Sequence, residues 1–110
     1  MDLDEILDTF DALDPGEERY RYLIELGRDL PGLPPEERTE ARRVHGCQSQ
    51  VWLKAWSEDG HLRLAADSDA FLVRGLIRLL LALYDGLPAA DAAALDPTPT
   101  FARIGLDAQL

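Results

Sequence analysis

Cys47 is the residue whose chemistry stands out in this 110-residue chain, because it is the only cysteine. A thiolate is a soft nucleophile that attacks sulfur and carbon centres. Gly46 before it permits a tight bend, and three small polar side chains follow it, Gln48, Ser49 and Gln50. The β-prone residues from Val51 onward predict a strand. We therefore expect Cys47 to be presented on the loop that enters this strand. The alternative is a small buried apolar cysteine.

Cationic side chains precede the thiol. Arg38, Arg42 and Arg43 form a small basic cluster in a chain that carries 21 acidic and 11 basic residues. Positive neighbours favour the thiolate, so the hypothesis is that Arg42, Arg43 or His45 lowers the pKa of Cys47. The other interpretation is that Arg43 and His45 point away from the thiol.

Composition limits the class of protein. A chain of this length forms one domain with one core. Its formal charge of −10 repels phosphate backbones and anionic lipid heads, so we expect no nucleic-acid and no membrane partner. One cysteine cannot form an internal disulfide, and the acidic start of the chain does not resemble a secretory signal, which predicts a reducing, cytoplasmic location. The apolar run from Phe71 to Leu83 is too short to span a bilayer and predicts a buried helix.

The string Gly-Cys-Gln-Ser-Gln-Val-Trp at positions 46–52 is a specific signal, and the chain resembles the SufE family of sulfur-acceptor proteins. Further matches lie at the family's spacing: Gly60, Asp67-Ser68-Asp69, Gly75-Leu76-Ile77, Tyr22 to Gly27 and Leu30-Pro31. The resemblance runs from about Phe10 to Leu110, so residues 1–110 are interpreted as a single SufE-like domain.

The resemblance implies a sulfur carrier for iron–sulfur cluster assembly. Such a protein docks on a cysteine desulfurase (SufS/CsdA-like), accepts persulfide sulfur on Cys47 and passes it to a scaffold (SufBCD-like), stimulating the desulfurase. It needs no cofactor of its own, since the desulfurase carries pyridoxal phosphate. Gly46, His45, Gln48, Ser49 and Gln50 would shape or support the loop. Arg42, Arg43, Asp69 and Arg74 would lie near the docking surface, and apolar side chains from Val51, Trp52 and the 71–80 helix would shelter the thiol.

The chain departs from the family pattern at two places. Arg42 stands where family members usually carry Asn, five residues before the cysteine. The sequence stops at Leu110, where the family continues into a Ser-Arg-containing segment and a last helix, whose contacts we expect to be missing here.

Helical periodicity dominates both ends of the chain. Leu3 to Leu13 predicts an amphipathic helix. Asp14-Pro15 predicts the cap and first position of a second helix that runs to about Leu30. A connector with one helical turn is expected over residues 33–40. A short helix over Ala89 to Leu95 and a last turn around Phe101 to Ile104 follow the long apolar one.

Two strands, Val44 to Trp56 and Leu62 to Asp67, are predicted to form a hairpin. Asp67-Ser68 is predicted to cap the helix that follows, and Asp69 to complement its positive end. On that helix Arg74 and Arg78 share one stripe, interpreted either as a solvated face or as part of a docking surface. The expected architecture is α+β, a small antiparallel sheet of about three strands with helices packed on one face.

Other chemistries find little support in the sequence. His45, Cys47 and His61 are too few and too scattered for the usual metal or cluster sites, so no metal is expected. A cysteine hydrolase with His45 or His61 as base lacks a recognisable orienting group. The remaining alternative is a binding-only modulator of a desulfurase, which carries no sulfur.

Overall fold

The structure, a computed structural model, describes residues 2–46 and 48–105. Its elements in chain order are α1 (Leu3–Ala12), α2 (Glu17–Arg28), two 3₁₀ turns (Pro35–Glu37 and Glu40–Arg42), β1 (Val51–Glu58), β2 (His61–Ser68), α3 (Phe71–Tyr84), α4 (Ala89–Ala94) and α5 (Thr98–Ile104). The predicted α+β class is confirmed. None of the helices in the described ranges is long and apolar enough to cross a membrane.

The first two helices begin at different kinds of cap. Asp2 caps α1 through its side chain, which accepts a hydrogen bond from the backbone of Glu5. The predicted cap of α2 at Asp14 is wrong, because α2 begins at Glu17 after Gly16, whose φ of 100° suits a residue without a Cβ. The backbone N–H of Asp14 instead donates to the Glu18 carboxylate.

Glycines set the contact between α2 and α3. A Cβ on Gly27 would lie 2.7 Å from the carbonyl oxygen of Phe71, and one on Gly75 would overlap the carbonyl of Leu23. The two helices therefore pack backbone against backbone at this crossing. The main core forms around them, with α1 and α5 closing it, and its buried residues are Ile6, Leu7, Phe10, Leu23, Leu26, Leu79 and Ile104.

Within residues 2–46 and 48–105 the sheet has two strands, where about three were predicted. β1 and β2 pair antiparallel, from Val51 opposite Ser68 to Glu58 opposite His61. Both residues of the connecting turn, Asp59 and Gly60, have positive φ (51° and 79°), as a tight hairpin of this twist requires. The predicted early start of the first strand at Val44 is wrong; upstream of Val51 there is an isolated bridge between Arg43 and Trp52.

Side-chain alternation gives the sheet two different faces. Val51 and Ala66 pack toward α3, in a cluster with Ile77. On the other face the connector between α2 and β1 covers the start of the sheet, where the Arg38 guanidinium lies 5.8 Å from the centre of the Trp52 ring. The expected arrangement, helices on one face and a more solvated second face, is present.

The C-terminal part is more regular than expected. A seven-residue helix, α5, replaces the predicted last turn. Arg19 of α2 donates to the carbonyl oxygen of Ile104 at 2.8 Å and so caps the end of α5. The predicted short alanine-rich helix is confirmed as α4.

Candidate functional site

A short loop joins Val44 to Val51, and in the sequence it contains the only cysteine. Its base is closed by a hydrogen bond of 2.8 Å from the Val44 backbone N–H to the Val51 carbonyl oxygen, next to the bridge between Arg43 and Trp52. Cys47 itself lies outside the described residues, so its predicted exposure and its pKa stay predictions. The described loop residues belong to neither a helix nor a strand.

The residues beside position 47 are open to solvent. Gly46 has a φ of 91°, a left-handed conformation that favours glycine, and a Cβ there would meet no atom within 4 Å. His45, Gln48 and Gln50 are exposed, whereas Ser49 is half-buried. A loop of this kind can change shape without disturbing a packed core.

The end of the loop is fixed to the segment that leads into α3 by two reciprocal hydrogen bonds. The backbone N–H of Gln50 donates to Oδ1 of Asp69 at 3.0 Å, and the backbone N–H of Asp69 donates to the carbonyl oxygen of Gln50 at 3.3 Å. We call this pair the loop latch. Asp69 was expected near the docking surface; the structure places it, exposed, directly beside the cysteine loop.

One acidic residue, Glu40, lies beside two of the basic side chains near the cysteine. Glu40 lies 3.9 Å from the Arg43 guanidinium and 3.4 Å from Nε2 of His45. Arg42 donates to the carbonyl oxygen of Glu37 at 3.3 Å. Glu40 therefore offsets part of the positive charge that the sequence places next to Cys47.

Arg74 faces inward, so its interpretation as part of a solvated stripe is wrong. Its guanidinium donates to the Asp67 carboxylate and to the carbonyl oxygens of Gly27 and Leu30, at 3.2 and 2.9 Å, and its side chain is 19% exposed. The arginine thereby ties the C-terminal end of α2 to the end of β2. A docking role for Arg74 remains a prediction, on a side chain whose donors are already engaged.

Asp67 is the centre of this network and does not cap α3 as predicted. It is 2% exposed and accepts hydrogen bonds from the backbone N–H groups of Leu33 and Ser68 as well as from Arg74. Nη2 of Arg38 lies 3.1 Å from Oδ2 of Asp67, the oxygen that also accepts from Leu33. The N-cap of α3 is Ala70. Sequence reasoning missed this site because two of its partners lie 29 and 34 residues before Asp67.

An apolar groove of about 320 Å³ opens between the sheet and α3, beside the base of the loop. The groove has an almost wholly aliphatic lining, formed by Val44, Val51, Leu53, Leu64, Ala66, Ile77, Leu80, Leu81 and Tyr84. Val51 and Leu80 are in the lining that the resemblance implied. Trp52 is not, because strand alternation turns it to the opposite face, under Arg38.

His61 and the potential metal ligands are the residues that the alternative chemistries would need. No group of three or more potential metal ligands occurs among residues 2–46 and 48–105. His61 lies at the hairpin end of the sheet and Val51 at the loop end. Seven residue steps of β-strand separate these ends by roughly 23 Å, so His61 is poorly placed as a base for a nucleophile in the loop.

Fold and site together define an α+β protein with a latched loop at the end of a small sheet, and the sole cysteine of the sequence falls within this loop segment. The chain belongs to the SufE family: residues 4–110 match the family model described as an Fe-S metabolism associated domain. The fold agrees with a solved relative, the solution structure of a hypothetical protein from Thermus thermophilus. That structure has a TM-score of 0.64 and 30% identity, over 86% of this chain and 69% of the other.

Two curated relatives support the family assignment. An uncharacterized SufE-like protein of Rhizobium etli is 49% identical over 108 residues, which are 94% of this chain and 73% of the relative. The sulfur acceptor protein CsdE of Escherichia coli K12 is 41% identical over 103 residues, which are 93% of this chain and 70% of the relative.

Proposed function

We propose that this protein is a sulfur acceptor that docks on a cysteine desulfurase, takes persulfide sulfur on Cys47 and delivers it to an iron–sulfur cluster scaffold. The observation that carries the proposal is the loop around position 47. It is closed at its base by Val44 and Val51, latched by Asp69, and open to solvent on both sides of the cysteine. The similarity to a protein named as a sulfur acceptor supports the same chemistry.

The transfer is thiol exchange without net oxidation. The Cys47 thiolate attacks the terminal sulfur of a persulfide on the desulfurase cysteine. The new S–S bond forms on Cys47 as the S–S bond in the desulfurase breaks, and the desulfurase cysteine leaves as a thiolate that takes a proton. The same exchange, with Cys47 now as the leaving thiolate, hands the sulfur to a thiolate of the scaffold. The pyridoxal phosphate chemistry that creates the persulfide belongs to the desulfurase.

The loop would alternate between a position against the apolar groove and a position turned outward. Val44 and Val51 belong both to the base of the loop and to the groove. A persulfide turned toward the aliphatic lining is kept from water and oxidants, and desolvation disfavours its thiolate. A loop turned outward offers the sulfur to a partner. Docking would favour the outward position, with Arg42, Arg43 and Asp69 at the contact.

The test is sulfur loading followed by intact mass. We expect the wild-type protein, incubated with a cysteine desulfurase and cysteine, to gain one sulfur atom that dithiothreitol removes, and Cys47→Ser to gain none. The matched control is Ser49→Ala, which changes a neighbouring hydroxyl and keeps the thiol. A loaded Cys47→Ser would overturn the assignment. If Cys47→Ser stimulates the desulfurase as much as wild type does, the carrier hypothesis is wrong and the protein is a binding-only modulator.

A further inference from the structure

The outer edge of β1 lacks a partner over most of its length. β1 pairs with β2 on one side, and on the other side Arg43 bridges to Trp52. From residue 54 to residue 58 this edge has no further strand partner among the described residues. An unpaired edge presents backbone N–H and C=O groups to any strand that approaches it.

The register tells which residues present these groups. In an antiparallel pair, residues alternate between those that hydrogen bond to the facing strand and those that point away from it. The tight hairpin makes Glu58 and His61 a hydrogen-bonded pair, so the odd-numbered residues of β1 point outward. The same alternation holds on β2, where Leu62, opposite Ser57, bonds away from β1 to Leu87 and Gly86. Ala55 and Ser57 therefore point backbone groups outward that no described strand pairs with, whereas Leu53 lies beside the Arg43–Trp52 bridge.

The side chains along this edge include two exposed apolar residues and a pair of residues with charges opposite to each other. Leu53 is 42% exposed and Trp56 is 37% exposed. Lys54 and Glu58 flank Trp56 at two residues on either side, on the same face of the strand. The Lys54 ammonium already lies 5.3 Å from the centre of the Trp56 ring.

We propose that the β1 edge binds the β1 edge of a second copy of this chain, forming a weak dimer with a continuous four-stranded sheet. Outward-pointing residues must face outward-pointing residues, so a two-fold axis passes through a residue opposite itself. With the axis at Trp56, Lys54 of each copy faces Glu58 of the other, Ala55 faces Ser57, and the two Trp56 rings meet.

Charge selects this register over its neighbours. An axis at Lys54 would place two like charges opposite each other, and axes at Ala55 or Ser57 would pair no opposite charges. Aromatic pairs and opposite-charge pairs between strands each contribute about 0.2–1 kcal/mol. The present partners of these charges are Glu37 for Lys54, in a half-buried pair, and Arg63 for Glu58, in a more exposed one. In the dimer these pairs are exchanged for the pairs between copies.

The dimer should be weak. Its contact is confined to about five residues from each strand, below the area that stable interfaces bury, and each copy carries a charge of −10. We expect a dissociation constant between about 10 µM and about 1 mM. The inference rests on the strand edge alone and is independent of the proposed function of Cys47.

Sedimentation velocity from about 5 µM to about 1 mM tests it with a variant that leaves the internal sheet intact. Ala55→Pro removes an outward N–H but no bond to β2, so it should keep the circular dichroism and melting temperature within a few degrees of wild type while remaining monomeric. Ala55→Ser, which retains the N–H, should still dimerise. Dimerisation of Ala55→Pro equal to wild type would overturn the edge contact.

Charge reversal tests the register. Lys54→Glu and Glu58→Lys alone each place like charges in both symmetry-related pairs and should raise the dissociation constant at least about tenfold. The double variant restores both opposite-charge pairs and should return to within about threefold of wild type. A double variant weaker than either single one would overturn the register, and a wild-type protein that is monomeric at about 1 mM would overturn the dimer.

Discussion

Gln50 and Asp69 hold each other through backbone and side chain together. The Gln50 N–H donates to the Asp69 carboxylate at 3.0 Å and the Asp69 N–H donates back to the Gln50 carbonyl oxygen at 3.3 Å. These residues are 19 apart in sequence, and their contact joins the last residue of the cysteine loop to the segment that leads into α3. The latch is exposed, so breaking its two hydrogen bonds costs little free energy and frees the end of the loop to move.

Removing the carboxylate should loosen the loop. Asp69→Ala deletes the acceptor for the Gln50 N–H, worth about 1 kcal/mol, so we expect amide exchange at Gln50 to accelerate about fivefold. If the proposed function holds, alkylation of Cys47 by iodoacetamide should also become faster. Asp91→Ala, which removes an exposed carboxylate on α4, is the control. Unchanged exchange at Gln50 would show that the carboxylate does not hold the loop.

Asp67 should matter far more for stability than Asp69. Asp67→Ala leaves the half-buried Arg74 without its carboxylate and the Leu33 N–H without an acceptor. Breaking a buried charge pair costs about 3–5 kcal/mol, which urea unfolding measures directly. Asp69→Ala, two residues later and exposed, should cost about 1 kcal/mol. Similar unfolding midpoints for the two variants would argue against the buried network.

Gly75→Ala should destabilise the protein although it raises helix propensity. In an exposed helix this change is favourable by about 1 kcal/mol. Here the new Cβ would overlap the backbone carbonyl of Leu23 and force α2 and α3 apart. We expect thermal unfolding at least several degrees lower, corresponding to an overpacking cost of about 1–3 kcal/mol. A variant more stable than wild type would mean that the two helices are not in backbone contact.

The stability that the contact between α1 and α5 contributes should depend on pH. Hydrogen bonding from Arg103, at 2.6 Å, lowers the pKa of Asp11 below its ordinary value. A lowered folded-state pKa stabilises the fold fully above the unfolded pKa, and this stabilisation is lost as pH falls through the folded value. In Arg103→Gln a carboxyl NMR titration should show the pKa of Asp11 raised. Arg21→Gln, which breaks the surface pair with Glu17, should leave it unchanged.

Local patterns in the sequence determined most of the elements. The amphipathic repeat of α1, the apolar run of α3 and the Asp59-Gly60 turn each act within a few residues, so they could be recognised without knowledge of the fold. The motif from Gly46 to Trp52 identified the family in the same way. The exact ends of the elements were harder to predict. The start of α2 at Glu17 is an example, because more than one nearby residue could begin the helix.

Only the tertiary structure decided what Asp67, Arg74 and Trp52 do. The sequence favoured a helix cap for Asp67 and a solvated face for Arg74, since local spacing permits both. The fold instead brings Leu33 and Arg38 to Asp67, and the end of α2 to Arg74. Such partners are chosen by packing across the whole domain. A buried carboxylate must be compensated by whichever donors the fold places near it, and short-range pattern carries no record of them.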